Sequence, residues 1–237
     1  MIGIFVASAV VILLITVYIL ISNALFAFAI KRGEANSISR EMLVAQGLEK
    51  YADEIISSRN EFLKRDFKTV SIESFDGLIL KGFLYEAPNP KGTIILFHGY
   101  RSSPDIDFCV AEKFYESLGL NVLMPFQRAH GLSEGSYVTF GVKEQYDVVG
   151  WIEFINKTYG YQLPLFLSGL SMGSSTVLMS AKFKYTDNVK LIIADCGFTS
   201  PYEIFRHVVK TTMKIPFKLF IPLFNRLCKK KADFSCL

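Results

Sequence analysis

The first thirty residues contain no charged side chain, and from Ile2 to Ile30 they are predominantly apolar. A helix of about 20 such residues crosses the hydrocarbon core of a bilayer, so this run is long enough to span with some tilt. Two other readings compete with a membrane anchor. Ala27-Phe28-Ala29 looks like a signal-peptide cleavage site, but no Lys or Arg precedes the run, and it is much longer than a signal peptide's apolar region. A buried core helix would have to be charge-free over a length that is rare in soluble proteins. The sequence therefore predicts an uncleaved transmembrane helix over residues 1–30. Lys31, Arg32 and Arg40 follow it, whereas only the α-amino group precedes it. Basic residues are retained on the cytoplasmic side, so the remainder of the chain is expected in the cytoplasm.

The rest of the composition excludes more than it specifies. Net charge is +4 with acids and bases interspersed, which is no nucleic-acid footprint. The four cysteines, at 109, 196, 228 and 236, show neither C-x-x-C nor zinc-type spacing. They read as small buried hydrophobes or spare thiols, which favours a reducing compartment. No metal and no organic cofactor is expected, and the oligomeric state is open.

Residues 31–66 read as a polar, helix-prone connector. From residue 67 the pattern changes to short apolar runs bounded by turn residues. Phe67–Ser74 and Leu78–Tyr85 flank Phe75-Asp76-Gly77, a hairpin signal. Strands are predicted at Gly92–Phe97, Asn121–Pro125, Leu163–Leu167 and Val189–Ala194. Helices are predicted between them at Pro104–Leu118, Val142–Thr158 and Met172–Lys184. A hairpin followed by repeated βα units with continuous apolar strands implies a mostly parallel sheet covered on both faces.

One of these strand-to-helix junctions carries chemistry. Gly169-Leu170-Ser171-Met172-Gly173 is a G-x-S-x-G sequence placed after an apolar strand and before a helix. Such a turn needs Gly169 and Gly173, because a Cβ at either would meet neighbouring backbone. It presents the central hydroxyl as a nucleophile, so Ser171 is the candidate catalytic residue. The helix that follows directs free N–H groups at the place where negative charge would develop. An oxyanion needs two converging donors. The amide of Met172 supplies one; that of Tyr100, in the loop His98-Gly99-Tyr100 after the strand Gly92–Phe97, supplies the other. His98 reads as a residue that fixes this loop rather than as a general base.

Together, Phe97-His98-Gly99, the segment from Gln127 to Gly135, Gly169–Gly173 and the segment from Asp195 to Ser200 resemble the α/β-hydrolase superfamily. Within it they are similar to the serine aminopeptidase-like and lipase- or esterase-like branch, over residues 67 to about 235. The resemblance implies a twisted eight-stranded sheet, Ser171 as nucleophile, and a small ester or amide substrate, lipid-like in one reading. Phe126 stands where relatives commonly carry an acid. The family's acid follows strand seven and its histidine strand eight, whereas the sequence to Leu237 provides six strands. Residues 67–237 are thus expected to form a partial hydrolase domain that ends early, with its sixth strand as a bare edge. Asp195 and His207 are the remaining candidates for an acid and a base. The alternative is a non-catalytic, membrane-anchored binding protein. Residues 199–231 read as a lid, either an apolar cap over the serine that touches anionic lipid or an ordinary helical cap on the sheet.

Overall fold

The computed structural model describes residues 1–214 and 216–237. Six runs of apolar and β-branched residues become strands: β1 (Lys68–Glu73), β2 (Ile79–Tyr85), β3 (Gly92–Phe97), β4 (Leu120–Pro125), β5 (Leu165–Leu170) and β6 (Val189–Asp195). They form one sheet in the order β1-β2-β4-β3-β5-β6. The hairpin between β1 and β2 closes where Gly77 takes φ +81° and the Ser74 hydroxyl accepts from Leu78 N at 2.9 Å. β2 runs antiparallel to both of its neighbours, and the pairs β3–β4, β3–β5 and β5–β6 are parallel. Parallel neighbours require crossovers. These are made by α4 (Pro104–Asp107) with α5 (Ala111–Ser117), by α6 (Glu144–Tyr159) and by α7 (Met172–Ser180).

The two-residue period of the central strands feeds two cores. Ile95, Phe97, Leu123 and Leu167 point to one face and pack with Val148, Trp151 and Ile152 of α6. Ile94, Leu96, Val122 and Met124 point to the other, where Phe62 and Phe108 cover them. β3 and β4 are therefore buried along their whole length, while Leu191 and Ile193 of the edge strand β6 remain exposed.

Two helices differ from the sequence reading. The helix predicted over Pro104–Leu118 breaks between α4 and α5, where the Asp107 carboxylate turns back to accept from Gly99 N and the Ser102 hydroxyl. The helix predicted to Lys184 ends at Ser180, whose hydroxyl bonds Val177 O and Tyr185 instead of leaving the backbone to continue.

The connector 31–66 is packed onto the sheet domain. It forms α2 (Arg40–Ala45) and α3 (Ala52–Phe62), and it buries Leu43, Ala52 and Phe62. A fully buried Leu or Phe contributes about 1.5–3 kcal/mol, so these three side chains fix the segment. Arg59–Asp105 and Arg65–Glu112 ion pairs reinforce it.

The cap region, which includes Ile215 outside the described residues, forms α8 (Pro201–Val208) and α9 (Phe217–Leu227), with π-helical turns at Val209–Met213 and Cys228–Ala232. α9 packs against the N-terminal helix α1 (Ile2–Ile30): Phe220 stacks on Tyr18 at 5.6 Å. Only the last third of α1 is covered, with Ser22, Leu25, Phe26 and Ile30 buried, and its apolar side chains up to Leu20 are largely exposed. By length and composition α1 is the one described helix able to cross a membrane, a property that a signal sequence shares.

Candidate active site

The turn from β5 into α7 places Ser171 at φ 52° and ψ −111°, a conformation that L-residues hold only under constraint, at about 1–3 kcal/mol. The constraint is visible around it. A Cβ on Gly169 would overlap the Gly173 carbonyl group and stand 2.5 Å from Ser174 N. A Cβ on Gly173 would overlap the Phe97 carbonyl oxygen and stand 2.8 Å from His98 O. The two glycines thus let α7 start directly against the end of β3. Ser171 N donates to Asp195 O at 2.9 Å, and Ser171 O accepts from Ser175 N at 3.1 Å, which fixes the backbone on both sides of the serine.

The loop after β3 closes on the same point. A Cβ at Gly99 would lie 3.6 Å from that of Ser171. Gly99 N is held by Asp107 at 2.6 Å, and Arg101 N donates to His130 Nε2 at 3.0 Å. Between them the Tyr100 amide has no hydrogen-bond acceptor among the described residues, and neither does the Met172 amide at the first position of α7. These are the two donors the sequence placed at an oxyanion.

His98 and His130 are buried, their rings 5.0 Å apart. His98 accepts from Gln127 N at 3.0 Å through Nε2, and its Nδ1–H donates to the Gly99 carbonyl at 2.8 Å. His130 uses Nδ1–H on Arg128 O at 2.9 Å. Each ring thus needs one bare nitrogen, and burial holds both neutral, pushing His98 down to about 4 and His130 to about 3. Neither has a hydrogen bond to Ser171. The segment from Gln127 to Gly135 ties these histidines to the rest of the sheet. Arg128 bonds Asp147 of α6 at 2.7 and 2.6 Å and Asp76 of the hairpin at 2.9 Å. Ser133 accepts from Lys81 N at 2.8 Å. Phe126 packs edge-on to Phe83 at 5.0 Å.

Asp195 meets the serine through its main chain only, and His207 makes no hydrogen bond with either. β6 is the sheet edge, so the Asp195 side chain is exposed there. His207 lies on the exposed side of α8, whose buried face carries Phe205. Among the described residues no side-chain hydrogen bond joins Ser171, Asp195 and His207. The cap is also placed differently from an apolar cover over the serine. The cleft that holds Ser171, about 490 Å³, is walled by Ile38, Met42, Leu43 and Ile55 of the connector, opposite Tyr100 and Leu170. Sequence reasoning missed this wall. Its signal was Ser39, an N-cap that accepts from Met42 N at 3.2 Å, ahead of Met42 and Leu43. Equally unforeseen is the contact from the Tyr100 loop to α1. The Tyr100 hydroxyl donates to Phe28 O and Ala29 O at 3.1 and 3.0 Å, and Arg101 to Phe28 O at 2.6 Å. The unpaired carbonyls at the end of α1 are thereby satisfied. Among the described residues no group of three or more His, Cys, Asp and Glu side chains is placed to hold a metal ion.

Comparison with known proteins bears on the family and the fold. The family described as "Serine aminopeptidase, S33" matches residues 88–232. An uncharacterised protein of Bacillus subtilis, YqkD, is 25% identical over 163 residues, 69% of this chain and 53% of that protein. An esterase from Pyrococcus furiosus superposes with a TM-score of 0.57 at 26% identity, over 69% of this chain and 63% of the esterase. The ferulic-acid-bound Est1E of Butyrivibrio proteoclasticus, at 22% identity and a TM-score of 0.50 over 58% of this chain and 56% of its own, shares the fold. The chain thus spans about half the length of the Bacillus protein and under two thirds of the Pyrococcus esterase.

Proposed function

Because the chain belongs to the serine aminopeptidase S33 family and has the α/β-hydrolase fold, we propose that it is a membrane-anchored serine hydrolase in which Ser171 attacks a carboxylic ester or amide. The observation that carries this reading is the elbow itself. Among the described residues the hydroxyl of this strained serine has no hydrogen bond, Tyr100 lines the same cleft, and the Tyr100 and Met172 main-chain amides are both without an acceptor. In the reaction the Ser171 hydroxyl gives its proton to water or hydroxide as its oxygen adds to the carbonyl carbon, and the negative charge that moves to the carbonyl oxygen is met by the Tyr100 and Met172 amides. Collapse of this adduct breaks the ester or amide bond, the alcohol or amine leaves with a proton from water, and a water then releases the acid from the serine. The likeness to the Pyrococcus esterase favours an ester, and the apolar wall from Ile38 to Ile55 favours an acyl group on the bound side. α1 anchors the domain, with Lys31 and Arg32 holding it on the cytoplasmic face.

The described residues place no imidazole on the serine hydroxyl, an observation that also fits a binding protein without turnover. One experiment separates the two. The full chain in detergent is given p-nitrophenyl butyrate across pH 5.5–9 beside Ser171→Ala. Serine-dependent release should exceed that of the variant by about 10-fold or more. Its rate should climb with hydroxide and show no inflection near 6.5, because His98 and His130 stay neutral above about 4. Equal rates for the two proteins would support the binding reading. An inflection near 6.5 would show a histidine acting as base and contradict the site described above.

A further inference from the structure

Between Ile204 and Ala232 the chain carries eight Lys and Arg side chains and no Asp or Glu. That is more positive charge than the whole chain's net +4. Among the described residues only Arg206 of the eight has an acidic partner, Glu203 at 2.5 Å. Lys218, Arg226, Lys229 and Lys230 all stand on the exposed side of α9 and the turn after it, together with Leu219, which is 58% exposed, and Pro222. A surface of unpaired cations interleaved with exposed apolar side chains suits an anionic lipid interface.

The height of this surface follows from α1. The exposed run from Ile2 to Leu20, at about 1.5 Å per residue, measures roughly 28 Å, close to the ~30 Å hydrocarbon core. Residues just beyond it then fall in the headgroup layer. It is there that α9 is attached. Phe220 stacks on Tyr18 at 5.6 Å, and Lys231 reaches Asn23 at 3.3 Å and sits over the Phe26 ring at 5.4 Å. The start of α9 is therefore at the hydrocarbon boundary and its lysine-rich end at the level of the phosphates.

We infer that residues 204–232 form a second membrane contact, lying in the interface of the leaflet that α1 enters and binding anionic phospholipid headgroups. The inference rests on reading α1 as a span, and its consequence is that the Ser171 cleft is held close to the membrane surface. The test uses the full chain in nanodiscs of phosphatidylcholine with or without phosphatidylglycerol. An environment-sensitive dye is attached at Leu219→Cys or, separately, at Val11→Cys, each with the exposed Cys196 replaced by Ser.

Nitroxide lipids should quench the dye at 219 in anionic discs, and high salt or Lys→Gln at 229, 230 and 231 should relieve it. Neutralising those three lysines should shift the docked-to-free ratio by about 100-fold. A dye at 219 left unquenched in anionic discs overturns the inference, as it would if the cluster served a nucleic acid or an acidic protein. So does quenching that is equal in neutral discs and indifferent to salt. The dye at 11 reports the span separately: quenched at 11 but not at 219, the span stands without the second contact; quenched at 219 but not at 11, the span fails, and with it the inference that rests on it.

Discussion

Replacing Gly173 with alanine should leave little folded protein. The added Cβ would overlap the Phe97 carbonyl oxygen and stand 2.5 Å from its carbon, and Phe97 ends the central strand β3, paired to β5 at Gly169. That backbone is hydrogen-bonded and buried, so it cannot move aside without breaking the sheet. Overpacking against fixed backbone costs more than the usual 1–3 kcal/mol of core repacking, and a loss above about 4 kcal/mol is a large share of the stability of a domain. Gly77→Ala is the comparison. Its φ is +81° but nothing lies within 4 Å of the new atom, so only the backbone preference is lost, about 1 kcal/mol. Thermal unfolding followed by circular dichroism in detergent should show Gly77→Ala melting a few degrees low and Gly173→Ala without a cooperative transition. A Gly173→Ala protein that melts like the parent would mean that α7 does not start against β3 as described.

Asp147→Ala is expected to be nearly as damaging for a different reason. The Arg128 side chain is 2% exposed and the Asp147 side chain 6%, and the two share hydrogen bonds of 2.7 and 2.6 Å. Removing the carboxylate leaves a guanidinium in the interior with only Asp76 beside it, a loss of about 3–5 kcal/mol. Arg128→Met should cost less, because the carboxyl left behind can take a proton: burial already pushes Asp147 up to about 6 against the pull of Arg128. The double variant Arg128→Met, Asp147→Leu should be more stable than Asp147→Ala alone. Denaturant titrations of the three variants check this order, and Asp147→Ala within about 1 kcal/mol of the parent would contradict it. Arg128 lies two residues before His130, which holds Arg101 N, so the damage should reach the Tyr100 loop.

Much of this was legible in the sequence because it is local. Alternating burial, the Asp76-Gly77 turn and the glycines around Ser171 depend on residues close in the chain, and all six strands appear within a few residues of their expected bounds. What was not legible depends on contacts between distant segments. Nothing in residues 31–66 announces that Met42 and Leu43 wall the serine cleft; a polar sequence with scattered apolar positions suits a free tether equally well. The lid was read from its aromatic content, yet Phe217, Phe220 and Phe224 bury themselves beside α1 and Phe205, and none of the three lines the Ser171 cleft. The helix predicted through Ser180 failed because a side-chain hydroxyl competes for the backbone there, an outcome that periodicity does not reveal. Asp195 and His207 are twelve residues apart and plausible as partners on paper, but an edge strand and the outer side of a helix point them into solvent.

The central claim is that the bend at Ser171 presents a nucleophilic hydroxyl toward the Tyr100 and Met172 amides. Treating the folded full chain with a fluorophosphonate and mapping the adduct by peptide mass spectrometry tests it most directly. The account predicts an adduct on Ser171, none on the buried Ser174 and Ser175 beside it, and none in Ser171→Ala. No adduct on folded protein, or one that persists in Ser171→Ala, would contradict it.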